Sequence, residues 1–186
     1  MKSTHEVPTQ EITLPEIHND EIVIDIGAGS EALVSRITQA KVCAVDISIS
    51  KIREAQIYQS GADWILGNAI QLGIQNAQFT KACLWFSLGY IANTDAKVRV
   101  FEEIHRVLKD SGRVSVLSAK IDCQEPKFHF RVKYKFPDHT ISIMRYLVRG
   151  RQNQTIDSIS SMITRTGFDI IKLDDRYHYF SIIATK

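Results

Sequence analysis

Asp25-Ile26-Gly27-Ala28-Gly29-Ser30-Glu31-Ala32 follows a β-branched run at residues 22–26 and opens a segment of helical period at residues 31–38. Glycines at 27 and 29 permit the tight turn by which a strand feeds a helix, and the free N–H groups at such a junction can hold a ligand. The spacing also satisfies G-x-G-x-x-A through Ala32, the dinucleotide form, so a nicotinamide or flavin enzyme is one reading. The neighbouring charges oppose it. Asp25 and Glu31 would repel a pyrophosphate, whereas both favour a ligand that carries an ammonium or sulfonium group.

Outward from this turn, short β-branched runs alternate with amphipathic segments. Residues 41–46, 62–66, 81–86 and 113–118 read as further strands. Residues 49–59 read as a helix capped by Ser48. A longer helix at residues 95–108 carries Val100, Phe101, Ile104, Val107 and Leu108 on one face, with Thr94 as its cap and Asp110-Ser111-Gly112 as its stop. Residues 156–165 form another helix, with Thr155 before it, Asp157 in its first turn and Gly167 after it. Two apolar runs, 168–173 and 179–185, read as a terminal hairpin. The order describes an open α/β sheet with a mixed edge, whose ligands sit at the carboxyl ends of the strands. Residues 1–20, with two prolines and three glutamates, read as an N-terminal arm or a single helical turn, and residues 21–186 as one domain.

Composition sets the outer limits. The chain has 186 residues, 44% hydrophobic and 24% charged, the make-up of one soluble domain. A formal charge of +2 demands neither nucleic acid nor an anionic membrane as partner. The apolar runs are too short to span a bilayer and the first ten residues are polar, so neither a membrane span nor a signal peptide is expected. Cys43, Cys83 and Cys123 stand 40 residues apart, without a C-x-x-C clip, which makes the reducing cytoplasm the expected compartment. Cys43 and Cys83 read as small core residues, and no metal site is expected.

The strand ends supply the candidate binding groups. Asp46 closes the second strand 17 residues after Gly29 and is suited to accept both hydroxyls of an adenosine ribose. Gly67-Asn68-Ala69 closes the third, where the Asn68 amide can pair with an adenine edge. Glycine turn, ribose acid and adenine group therefore come in chain order.

With these residues the sequence resembles the class I S-adenosylmethionine (SAM)-dependent methyltransferases over residues 21–186. Asp25-Ile-Gly-Ala-Gly is similar to that family's first motif, Val45-Asp46-Ile47-Ser48 to its ribose-binding strand end, and Gly67-Asn68-Ala69 to its adenine turn. Residues 79–91 are similar to the strand and loop lining the transfer cleft, and residues 101–113 to the helix and turn before the fifth strand. The resemblance implies a Rossmann-like, mostly parallel seven-stranded sheet with an antiparallel C-terminal strand, SAM as cofactor, and Asp25, Gly27, Ala28, Gly29, Asp46, Ile47, Asn68, Ala69 and Trp85 around it. Three positions depart from the family pattern: Glu31 replaces its third glycine, Asn68 its adenine-turn acid, and Thr80 the acid that commonly precedes the fourth strand.

Methyl transfer is an in-line displacement that asks mainly for positioning and exclusion of water, and a base only for a protonated nucleophile. Trp85-Phe86-Ser87-Leu88-Gly89-Tyr90 lacks the Asn/Asp-Pro-Pro-aromatic tetrad of many base and glutamine N-methyltransferases, which points to a small-molecule acceptor. Ser87 and Tyr90 are the candidate acceptor contacts, and Tyr90 the candidate catalytic group. His105 is expected on the solvent side of its helix, and His178 in a packed hairpin.

Residues 127–151 hold seven Lys or Arg against one carboxylate, Asp138. Strict alternation puts His129, Arg131, Lys133 and Lys135 on one strand face and Phe128, Phe130, Val132, Tyr134 and Phe136 on the other, with residues 140–148 as the returning strand. This β-hairpin-like insertion at residues 121–150 has two readings. Its cations, Arg131 and Lys133 first, can line a lid over an anionic substrate or RNA, or they can form a solvated face. Its aromatic face can cover the chain's own cleft or pack on a second copy in a homodimer. A SAM-binding regulatory or scaffold protein without turnover, and an RNA methyltransferase, are the alternatives to a small-molecule enzyme.

Overall fold

The computed structural model describes residues 3–57, 61–91, 93–136 and 139–186. Among the described residues, eleven strands and four helices follow one another: β1 (Thr4–Glu6), β2 (Gln10–Ile12), β3 (Ile22–Ile26), α1 (Leu33–Ile37), β4 (Lys41–Asp46), α2 (Ile49–Gln56), β5 (Asp63–Leu66), β6 (Phe79–Trp85), α3 (Thr94–Val107), β7 (Leu108–Ala119), β8 (Lys127–Lys135), β9 (Ile141–Arg149), α4 (Ile156–Arg165), β10 (Asp169–Asp175) and β11 (Tyr179–Thr185). Seven of the strands form a sheet in the order β10-β11-β7-β6-β3-β4-β5. Strands β3 to β7 run parallel, while β11 pairs antiparallel with β7 and with β10. The chain winds outward from β3 through β4 to β5 and then returns to β6 on the other side of β3. That reversal opens a crevice beyond the carboxyl ends of β3 and β6.

The periodicity of α3 explains one face of the sheet. Val100, Phe101, Ile104 and Val107 are fully buried against Ile24, Leu84, Val114 and the Ile159–Ile163 side of α4. The helix begins one residue before its expected start, because Asn93 and not Thr94 caps it, accepting from the Ala96 N–H at 2.9 Å. Strand β7 follows at once, since Asp110-Ser111-Gly112 bulges the strand where Ser111 takes φ +62°, and the register to β6 shifts there. Thr155 caps α4 in a reciprocal capping box with Ser158. Helix α1 is shorter than its sequence pattern, because Ala32 adopts a left-handed φ of 47° and delays the first turn to Leu33. Ser48 caps α2 as expected; the expected end of that helix at Gln59 lies outside the described residues.

The opposite face is covered by α1 and by a second sheet. Strand β9 pairs antiparallel with β8 over its whole length, while β1 and β2 lie parallel along the other edge of β8. The N-terminal segment therefore builds two short strands and not a helical turn, and Pro8, which cannot donate to a ladder, falls in the break between them. Phe128, Phe130, Val132, Tyr134 and Phe136 turn inward onto Val23, Leu33, Val34, Phe86 and Leu117. The aromatic face of the insertion thus covers its own chain.

Two polar ties hold the base of the main sheet. Thr80, where the resemblance leads one to expect an acid, accepts from the Ile22 N–H at 2.9 Å and joins β6 to β3. Lys81, buried within β6, reaches Glu21 at 2.9 Å and the Glu16 carbonyl at 2.9 Å.

Candidate functional site

The glycine turn leaves β3 with Gly27 at φ +70° and Gly29 at φ +63°, a region that side chains rarely adopt. The Gly27 and Ala28 N–H groups both donate to the Val45 carbonyl, which binds the turn to the end of β4. A Cβ on Gly27 would stand 2.6 Å from the Ser87 Cβ, whereas one on Gly29 would meet nothing within 4 Å. Gly29 thus borders open space. The Gly29 N–H donates to Asp46 Oδ2 at 2.9 Å and the Ser48 N–H donates to Oδ1 at 2.8 Å. Each carboxylate oxygen keeps a second acceptor site, the requirement for gripping a pair of vicinal hydroxyls.

Next to Asp46, Ile47 is 71% exposed, and Leu66 at the end of β5 is 58% exposed. A flat aromatic base can pack on such an apolar shelf. Asn68 spends Oδ1 on the Ile70 N–H at 3.2 Å and keeps its amide N–H groups, while the Ala69 N–H has no partner among the described residues. That pair offers donors to an adenine edge.

Asp25 lies on the other side of the turn. It is 4% exposed, and its carboxyl makes no hydrogen bond among the described residues. Burial, and then the charge of Asp46, push its carboxyl up to about 8. A buried acid with no partner fits a ligand whose ammonium or sulfonium supplies the missing positive charge. Glu31 stands two residues before α1 and not on its first turn, and its carboxylate lies 3.6 Å from Arg36 Nη1. The Arg36 guanidinium also sits 4.0 Å over the Phe136 ring, which ties the turn to the insertion.

The residues expected to line the reacting end are placed differently. Trp85 is buried, and its indole N–H donates to Ser115 at 3.1 Å, so its side chain belongs to the core beneath the insertion and not to the cofactor. Ser87 donates its hydroxyl to the Ile26 carbonyl at 2.8 Å, which makes it a brace for the glycine turn and not an acceptor contact. Tyr90 ends a short 3-10 turn, Leu88–Tyr90, and as a residue is more than half exposed. Burial of its hydroxyl raises the pKa, against the Leu147 backbone N–H, so it is a poor base. Arg131 and Lys133 lie on the outer face of the second sheet, opposite the buried aromatics, and Lys133 pairs with Glu11 at 2.6 Å. Strand alternation that buries Tyr134 turns Lys133 outward. His105 is half-buried, edge-on to Phe168, and not on the solvent side.

Sequence reading missed a group of hydroxyls beside the turn. Tyr134 and Tyr146 share a hydrogen bond of 2.8 Å under Phe86, which takes φ +58° and stacks on Phe130 and Tyr146. The charges of Glu31 and Asp25 both reach Tyr146, and burial holds both phenols protonated. The alternation of residues 128–136 signalled an aromatic face but not what it covers. Lys97 was also missed. It is 4% exposed, held by Gln152 at 2.9 Å and Gln154 at 2.6 Å, and burial lowers it to about 8. Gln152 in turn donates to the Gly89 carbonyl, fixing the loop that carries Tyr90.

Residues 23–112 match the family model described as a methyltransferase domain. No curated protein matches the chain by sequence. Among solved structures, a SAM-dependent methyltransferase from Methanosarcina mazei is 18% identical, with 91% of this chain and 94% of that one covered at a TM-score of 0.66. The [4+2]-cyclase SpnF is 15% identical, with 91% and 76% covered at 0.66. The glycopeptide N-methyltransferase MtfA, solved with S-adenosyl-L-homocysteine, is 11% identical, with 90% and 83% covered at 0.64. These likenesses establish the fold, and the family match over β3 to the start of β7 spans the part of the chain that holds Gly27, Asp46 and Asn68. Residues 23–112 thus carry a methyltransferase domain, within a chain that has the fold of SAM-dependent methyltransferases.

Proposed function

We propose that the chain methylates a small acceptor held at the mouth of the crevice, beside the Ser87–Tyr90 loop at the rim of the insertion. The observation that carries this reading is the packing of the insertion's aromatic face onto Phe86, directly beyond the glycine turn. Bound SAM supplies a methyl group made electrophilic by its positive sulfur. Asp46 holds the ribose, Ala69 and Asn68 meet the adenine edge, and Asp25 faces the positive end of the cofactor. Phe86, Phe130 and Tyr146 exclude water from the reacting end, which strengthens each electrostatic contact there. Tyr90 is a positioning group for the acceptor, since a phenol held above its ordinary pKa takes no proton at neutral pH.

Apart from Arg36, which is engaged by Glu31 and the Phe136 ring, the groups near the reacting end are acidic or phenolic, and Arg131 and Lys133 face away from it. A neutral or basic acceptor, such as an amine, suits this setting better than the anionic one expected from the charge of the insertion. RNA lying on the outer basic face would be separated from the glycine turn by the thickness of the second sheet.

The test is formation of S-adenosylhomocysteine from SAM across a panel of small amines, phenols and carboxylates, with tRNA alongside. Turnover with an amine or phenol, and a raised KM with a preserved kcat in Tyr90→Phe, is the expected result. Turnover confined to tRNA, or to carboxylates, contradicts it.

A further inference from the structure

His5 comes together with Cys123 and Glu125, more than a hundred residues later in the chain, where the N-terminal strand meets the root of the insertion. Their ligand atoms lie within 4.8 Å of one another, and His5 Nδ1 is 3.4 Å from Glu125 Oε2. Ligands at the ordinary zinc distances of about 2.0–2.3 Å stand about 3.3–3.8 Å apart in a tetrahedron, so the imidazole and carboxylate are already at the spacing of one shared ion. The thiol sulfur lies within 4.8 Å of both.

The surroundings hold this arrangement. Strand β1 pairs His5 with Phe128, and the two rings stack at 5.6 Å and 9°, which sets the imidazole plane. Cys123 is free, with neither Cys43 nor Cys83 as a disulfide partner, and among the described residues its Sγ makes only a long contact of 3.8 Å to the Glu125 carbonyl. Gly150 passes over the cluster, where a Cβ would stand 3.1 Å from Sγ and collide with the Glu125 carbonyl. The backbone closes the root through Gly150 to Pro126 and Arg151 to Cys123.

We propose that His5, Cys123 and Glu125 bind a zinc-type divalent ion, with water at the fourth position. One imidazole, one thiolate and one carboxylate select a borderline-soft transition metal over magnesium or calcium, which take oxygen alone. Coordination releases the thiol proton to solvent and forms the sulfur–metal bond without any change of oxidation state. The ion ties β1 to the stalk of the insertion, and so braces the sheet that covers the methyl-transfer site.

Cobalt(II) reports the site directly. In tag-free, chelator-treated protein, one equivalent of Co2+ is expected to give a sulfur-to-cobalt charge-transfer band in the near ultraviolet and the intense visible bands of a four-coordinate ion, both bleached by Zn2+. Cys123→Ser loses the near-ultraviolet band, His5→Ala binds Co2+ at least about tenfold more weakly, and Cys43→Ser behaves as the parent. Retained binding of S-adenosylhomocysteine verifies the fold of each variant. Should Cys123→Ser not fold, Glu125→Gln and His5→Ala carry the test through loss of the visible bands. No charge-transfer band at millimolar Co2+, or a band that survives in Cys123→Ser, overturns the assignment.

Discussion

Gly27 and Ser87 are in such close approach that one additional carbon on Gly27 would stand 2.6 Å from the Ser87 Cβ, while the Ser87 hydroxyl donates to the neighbouring Ile26 carbonyl at 2.8 Å. The ends of β3 and β6 are thereby joined at the point where the strand order reverses. Gly27→Ala should lower stability by about 1–3 kcal/mol through overpacking at a left-handed φ, and weaken SAM at least tenfold. Gly29→Ala shares the strained φ but meets open space, so its stability loss should be the smaller of the two. Denaturant unfolding and calorimetric titration of both variants check the contrast.

The buried acid at Asp25 sets a pH dependence. Its pKa rises from 3.8 to about 8 on folding, so the folded state holds a proton that the unfolded chain has released. Stability from this group is complete below about pH 4 and is lost as pH rises from 4 toward 8. Asp25→Asn removes the loss and should flatten melting temperature against pH across that window. A positive ligand prefers the ionised carboxylate, so SAM affinity should rise by up to about tenfold per pH unit below 8 and level off above it. In Asp25→Asn that rise should vanish, and affinity should be lower throughout.

The phenol pair is separable by a double-mutant cycle. Tyr146→Phe leaves the buried Tyr134 hydroxyl without its 2.8 Å partner, and should cost about 1–3 kcal/mol. Removing both hydroxyls leaves neither one stranded, so Tyr134→Phe with Tyr146→Phe should be less destabilised than the two single losses added together. Additive losses would mean that the two hydroxyls do not depend on each other.

Much of this was legible in the sequence. The run of β-branched residues before Gly27, the 3.6-residue period of α3 and the strict alternation of residues 127–136 each have one sterically sensible solution, and the sheet, the helix and β8 follow. Asp46 and Asn68 were placed by position alone, because a strand end in a parallel sheet is a fixed location. The directions of the Trp85 and Ser87 side chains were not legible, for the opposite reason. Both residues lie at a strand end too, but which way a side chain turns there depends on the partner across the fold, Ser115 for the indole and Ile26 for the hydroxyl, and no local period encodes that. The outward direction of Arg131 and Lys133 depends in the same way on where the aromatic face finds its cover. The pairing of Glu6 with His129 and of Glu11 with Lys133 across the second sheet gives the acidic N-terminal segment a role that its composition did not reveal.

Those outward cations carry a negative expectation. Arg131→Ala and Lys133→Ala should leave SAM affinity and the acceptor KM unchanged, as measured by titration and steady-state kinetics. A raised KM in either variant would return the cations to the acceptor site.

The most direct test of the cofactor site is calorimetric titration of the chain and of Asp46→Ala with SAM and S-adenosylhomocysteine, with NADH alongside. The parent should bind the first two at one site and NADH not at all. Loss of a charged acceptor for two hydroxyls should weaken binding by about 1.5–3 kcal/mol, roughly ten- to a hundredfold, in Asp46→Ala. Equal affinity in parent and variant, or binding of NADH in place of SAM, would contradict the account.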